Sequence, residues 1–210
     1  SSDMAGPETI RVDCDGGVVL PGFVDAHTHL ESTGKHLVHA DLSRAGSREE
    51  AVEILRAEAA PHTEWVLGFG YDESDWPDGL YLTRADLDGV SESRPVAAIR
   101  VDMHTASLNA VALERLADES PAGDVRRAGG EPTGVVVEDA VEALRSAIAP
   151  DRDGTRRLVA AARDRAHERG VTAVHDMVRN SHAPRVYRDM AAAGELALRV
   201  RLNYWSDHLE

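Results

Sequence analysis

The chain has 210 residues, 42% of them apolar, enough for a buried core in one large domain or two small ones. Its 37 acidic residues outnumber 23 basic ones for a formal net charge of −14, and such a surface repels nucleic acid, whose binding needs clustered Lys and Arg. No apolar run reaches about eighteen residues, and the opening SSDMAGPETIRV has neither a basic nor an apolar leader region, so no membrane span or signal peptide is expected and the cytoplasm is the simplest location.

Residues 8–24 read as two short strands, ETIRVDC and GVVLPGFVDA, parted by Gly16-Gly17. The second delivers LPGFVDAHTHLE, in which His27 and His29, two apart on a strand, project from one face while Thr28 points away. Next, SREEAVEILRAEAA reads as a helix, with Ser47 and Glu50 as a capping box and Ala51, Ile54, Leu55 and Glu58 at helical spacing. EWVLGFGYDES reads as a buried strand, LTRADLDGVS as a short helix capped by Thr83 and Asp86, PVAAIRVDMH as a strand, and SLNAVALERLAD as a helix. Glu119 to Thr133 is rich in turn residues and is expected to be a loop that closes over something.

GVVVEDAVEALRSAIAP passes from an apolar run into a helix stopped before Pro150. TRRLVAAARDRAHER is the strongest helix signal, with Leu158, Ala161, Ala162 and Ala166 on one face and Gly170 at C′. VTAVHDM is a strand, PRVYRDMAAAG a helix with Pro184 at N1 and Gly194 at C′, and LALRVRLNYW a strand. Strand, helix, strand with short joints predicts a βαβ unit and a parallel sheet.

The single cysteine, Cys14, forms no internal disulfide and builds no Cys-rich zinc site, so a metal here uses His, Asp or Glu. His27 and His29 sit at the end of an apolar strand, and catalytic groups gather at the C-terminal ends of parallel barrel strands. Asp25, two residues earlier, shares their side and is expected to accept an imidazole N–H and fix its tautomer. Zinc is the default ion for such ligands, with manganese, iron or cobalt as alternatives. The acidic surface reads as adaptation to a halophile cytosol, where salt screens self-repulsion, or more plainly as the product of a GC-rich genome. Lys35 is the only lysine.

LPGFVDAHTHLE resembles the opening metal motif of the amidohydrolase superfamily. WVLGFGYDESDWPDG, LTRADLDGV, RPVAAIRVDMHTASLNAVAL, PTGVVVEDAV and GVTAVHDM resemble its N-substituted formamide deformylase-like branch, amidohydrolase family 3. The resemblance implies an α/β fold, part of a (β/α)8 TIM barrel flanked by a small β-sandwich. It also implies one or two divalent metal ions that activate water to hydrolyse amide or related C–N bonds of a small-molecule substrate. Residues 22–28, 171–176 and 197–205 would then be the first three barrel strands, 31–150 an insertion covering the substrate, 151–210 the second and third strands with their helices, and 1–19 a remnant of the sandwich. His27 and His29 match the first two metal ligands, whereas the remaining ligands and the catalytic aspartate are expected beyond residue 210. Because a full barrel takes roughly 250 residues, the chain reads as a fragment, and its final LE resembles a cloning junction as readily as native sequence.

His104 and Glu138, in the inserted segment, are expected to face the substrate or act behind the ligands. The plainer readings are a backbone-bonded strand-end histidine and an acid in a helix's first turn. Glu138 is also a candidate for an acid replacing the family's bridging lysine, a position Lys35 does not match. His175 and Asp176 end the second barrel strand on the catalytic face, in a role behind the ligands or toward the substrate. Trp65, Phe69, Tyr71 and Trp76 are expected to pack in the core, and the acid pairs Glu49-Glu50 and Asp72-Glu73 to form a solvated face. The alternative to a hydrolase is an inactive fragment, folded or dimerised without stable metal, in which a second copy covers the open strands as a homo-oligomer. No G-x-G-x-x-G, P-loop or G-x-S-x-G supports a dinucleotide enzyme, an NTPase or a serine hydrolase.

Overall fold

The computed structural model of the protein describes residues 6–58 and 64–204. β1 (Phe23–Thr28) leads into α1 (Leu30–Val38), the two-residue β2 (Ala40–Asp41), α2 (Arg48–Glu58), β3 (Val66–Tyr71), α3 (Arg84–Asp88), β4 (Val96–Arg100), β5 (Thr105–Leu108) and α4 (Ala110–Arg115). The hairpin β6 (Val125–Ala128) and β7 (Glu131–Val137) follows, then α5 (Glu138–Ala147), α6 (Arg152–Glu168), β8 (Val171–Val178), α7 (Ala183–Ala192) and β9 (Arg199–Tyr204). Among the described residues the strands form two sheets, and no helix is long and apolar enough to cross a membrane.

The larger sheet runs β2-β3-β4-β5-β7-β6, parallel from β2 to β4 and antiparallel beyond. Its central strand β4 reads VAAI because both faces are covered, which removes the polar half of the usual alternation. Val96 and Ala98 face Leu55 of α2 and Leu87 of α3, whereas Ala97 and Ile99 face Leu116 and, on α5, Leu144. The four aromatics are core residues, as expected, but they serve opposite faces: Trp65 and Phe69 one, Tyr71 and Trp76 the other. Strict alternation would put Phe69 and Tyr71 on one side. Gly70, at φ +89, breaks the register between them and turns Tyr71 over to stack on Trp76 at 5.5 Å.

The smaller sheet is all parallel, in the order β1-β8-β9. Val174 and Val178 of β8 pack with Leu30, Val159, Val186, Tyr187 and Met190 from α1, α6 and α7. The β8-α7-β9 unit is the expected parallel crossover. α6 starts earlier than its apolar spacing indicates, because Asp151 caps it by accepting the Gly154 N–H at 2.7 Å. α1 crosses α6 so closely that a Cβ at Gly34 would stand 2.2 Å from the Leu158 carbonyl oxygen. Only glycine fits there.

Several expectations are corrected. Residues 6–22 form no strand: Ile10, Val12, Val18 and Val19 are exposed, and a strand without a neighbour leaves its backbone groups unpaired. Pairing starts at Phe23, whose N–H reaches the Gly170 carbonyl at 2.8 Å. The stretch expected as a closing loop is instead a 3-10 turn at Ala122–Asp124 followed by the β6–β7 hairpin, turning at Gly129-Gly130. Ser107 and Leu108 lie in β5 rather than starting a helix, which waits for its cap Asn109. Glu50 accepts the Gly46 N–H while Ser47 accepts that of Glu50, a capping arrangement displaced by one residue. Pro184 is the second helical residue of α7 rather than the first. Glu73 is buried against Arg100, not solvated. The side chain of Glu58, the expected helix end at 59–60 and Trp205 lie outside the described residues.

Asn109 is fully buried and uses every polar atom of its side chain: it accepts from Val96 N and Ala112 N and donates to the carbonyls of Ser91 and Arg94. At about 1 kcal/mol per net bond and more for each orphaned group, Asn109→Ala lowers the unfolding free energy by roughly 3 kcal/mol or more, read from denaturant midpoints. Gly34→Ala forces α1 off α6 and costs about 1–3 kcal/mol, a drop of several degrees in a thermal melt.

Candidate metal centre

The C-terminal end of β1 presents both histidines to solvent. Their ring centroids lie 5.4 Å apart with planes at 71°, close enough for one ion to be shared between them. The Nδ1 of His29 lies 3.1 Å from the Met177 carbonyl oxygen. A carbonyl only accepts, so Nδ1 is the donor; in the neutral imidazole this leaves the lone pair on Nε2, the arrangement that metal-binding imidazoles take when the other nitrogen is tied to the backbone. The donor set thus fits a divalent ion.

Asp25 acts otherwise than expected. Its Oδ1 accepts the main-chain N–H of His27 at 3.0 Å, not an imidazole N–H, and so shapes the backbone entering the motif. His175 and Asp176 do not share a face, because neighbours on a strand cannot. Thr28 pairs in register with Asp176, and His175 points to the other side of the sheet. His175 is half-buried there, next to Arg201 of β9. Asp176 turns to the helices and is 3% exposed. Its Oδ1 accepts the Leu30 N–H at 2.8 Å and its Oδ2 the Tyr187 hydroxyl at 2.6 Å. Burial pushes its carboxyl above the usual range, opposed by these two donors.

Around this carboxylate the start of α1 is tied down once more, through Glu31. Asn180 donates to Glu31 at 2.8 Å and to Thr155 at 2.9 Å, and Lys35 pairs with Glu31 at 2.8 Å. Tyr187, Asn180 and the Met177 carbonyl escaped the sequence reading. One signal was present: an acid at a position of VTAVHDMV that alternation assigns to the buried face must have a partner.

His104 and Glu138 do come together, at one end of the larger sheet. Their Nδ1 and Oε2 are 3.7 Å apart with both side chains about two-thirds exposed. Glu138 opens α5, as the plainer reading expected, but at φ +46, and Met103 before the histidine stands at φ +63. Left-handed backbone in such residues is strained and persists only where bonds impose it. Here they do. Glu138 N–H reaches the His104 carbonyl, Asp102 accepts from the His104 and Thr105 N–H groups, Arg145 holds the Met103 carbonyl, and Arg100 grips Asp102, Asp72 and Glu73. Glu138 does not join His27 and His29, as a bridging acid would: among the described residues no three His, Cys, Asp or Glu side chains gather as a metal group.

The sequence profile described as the amidohydrolase family matches residues 11–210. The chain is 28% identical to the N-substituted formamide deformylase of Arthrobacter pascens over 219 residues, covering 97% of this chain and 40% of that protein. It is 31% identical to protein LONG AFTER FAR-RED 3 of Arabidopsis thaliana over 183 residues, covering 83% and 31%. An uncharacterized metal-dependent hydrolase from Pyrococcus horikoshii superposes with a TM-score of 0.72 at 28% identity, covering 88% of this chain and 36% of that one. The chain therefore spans well under half the length of each of these proteins. With a profile match over nearly its whole length, the chain belongs to the amidohydrolase family.

Proposed function

We propose that this chain is the part of a metal-dependent hydrolase of amide or related C–N bonds that supplies the first two ligands of the ion. One observation carries the reading: two exposed imidazoles 5.4 Å apart, one of them tied through Nδ1 to a backbone carbonyl. His27 and His29 would hold a divalent ion, zinc by the chemistry of its ligands. Such an ion supplies Lewis acidity, polarising the scissile carbonyl and lowering the pKa of water. The Met177 carbonyl orients the His29 ring, and Asp25 shapes the backbone at His27. The general base and the remaining ligands belong to the length that the relatives have and this chain does not. β1, β8 and β9 would be the first three strands of a TIM barrel, with 31–150 an insertion covering the substrate; the parallel order of the three strands supports the barrel. The name of the Arthrobacter pascens relative points to N-substituted formamides, and another amide or a cyclic C–N compound is the alternative.

A second reading concerns the chain by itself. A catalytic zinc site takes three protein ligands, and the described residues bring together two, so the isolated chain folds without holding the ion tightly.

Titrating the chain with zinc tests both readings. Weak binding that disappears in His27→Ala and His29→Ala is expected. Tight stoichiometric binding would contradict the second reading, and binding indifferent to both substitutions would contradict the first. We also read the strained, exposed His104–Glu138 pair as facing substrate. Glu138→Gly then relieves left-handed strain, so the denaturant midpoint holds or rises by up to ~1 kcal/mol equivalent, while turnover by the intact enzyme falls; a loss of stability would contradict the strain.

A further inference from the structure

We propose that Asp176 is a positioning residue for the metal motif: by gripping the backbone after His29 it keeps that imidazole on the Met177 carbonyl, with the proton on Nδ1 and Nε2 as the ligand atom. This rests on the metal reading above and adds a residue that touches neither ion nor substrate.

An acid with 3% exposure, lying between Val174 and Val178 on the packed face of its strand, carries a large desolvation cost and needs a compensating purpose. Holding α7 onto β8 would need only the bond from Tyr187. The other oxygen is spent on the N–H of Leu30, the residue immediately after the ligand. Three consecutive motif residues are thereby keyed to β8: Thr28 by ladder register to Asp176, His29 by its ring to the Met177 carbonyl, and Leu30 by its N–H to the Asp176 carboxylate.

The geometry between those ties is demanding. His29 is the N-cap of α1 at φ −128, ψ 84, neither helical nor regular strand, and its side chain caps nothing. The first turn of a helix has free N–H groups that commonly recruit the N-cap side chain. Were His29 to turn inward and cap α1, its ring would leave the exposed face. Asp176 takes the Leu30 N–H after His29 and pairs in register with Thr28 before it, so the backbone on both sides of the ring's departure point is fixed while the ring stays outside. Both Asp176 oxygens are engaged on the helix side of the sheet, so it acts only through His29.

The test uses the 210-residue chain labelled with nitrogen-15, observed by long-range nitrogen–proton NMR at a pH where the imidazoles are neutral, with a zinc titration in parallel. The native chain is expected to show His29 protonated on Nδ1. Asp176→Ala shifts it toward the Nε2-protonated form and weakens zinc binding about tenfold or more, the usual effect of losing a group that orients a ligand. Asp176→Asn, whose oxygen can still accept from Leu30 and whose amide can donate to Tyr187, retains both properties. Met190→Ala, a buried change in the same core, lowers stability but leaves tautomer and affinity alone. Should Asp176→Ala not fold, Tyr187→Phe frees one end of the carboxylate and gives a smaller shift in the same direction. The proposal is overturned if the Asp176 and Tyr187 variants keep the native tautomer and affinity, or if Met190→Ala moves them equally. Zinc binding that ignores His27 and His29 would sink the metal reading alone, since the tautomer still decides the role of Asp176.

Discussion

The carboxylate of Asp176 is the point at which the smaller sheet becomes a site. Strand pairing alone brings β1 alongside β8, but it does not say how the chain leaves the strand. One oxygen on the Leu30 N–H and the other on the Tyr187 hydroxyl join the exit of β1, the end of β8 and the middle of α7 in a single buried contact. Its low-dielectric surroundings strengthen both bonds and would make either orphan costly. The exposed histidines are therefore mounted on a carboxylate that is itself almost wholly buried.

The larger sheet shows a parallel economy. Arg100 gathers Asp72, Glu73 and Asp102 at the end of β4, and the buried Glu73 makes that cluster hard to dismantle. Asp102 in turn fixes the backbone of His104. In both sheets a buried or half-buried charge network holds a backbone segment from behind, and a histidine stands in front of it.

How legible these features are in the sequence follows from whether their cause is local. α6, β8, α7 and the capping box of Thr83 with Asp86 are readable because spacing and caps lie within a few residues. α1 is not: LESTGKHLV mixes weak helix formers with a glycine, and its stability comes from crossing α6 at Gly34, more than a hundred residues away in sequence. The strands expected before residue 22 fail for the converse reason, since their alternation is right but no ladder partner stands beside them among the described residues. His27 and His29 were legible as a pair because strand periodicity is a two-residue rule. Tyr187 was not, because only the fold brings it to Asp176. Asp25 departs from its expected role because a carboxylate near a histidine invites pairing with the imidazole, whereas here its oxygen, like one oxygen of Asp176, serves a main-chain N–H group.

Lys35, the lone lysine of the sequence, sits in α1 with its ammonium on Glu31, itself bonded to Asn180. In a chain whose other cations are guanidinium groups, amine-directed reagents find a single side-chain address, six residues from His29. Acylation there would strip the charge from the helix that bears the motif and unclasp Glu31. A fluorophore or an acetyl group at that nitrogen would report on, and disturb, the footing of the histidines without touching either ring.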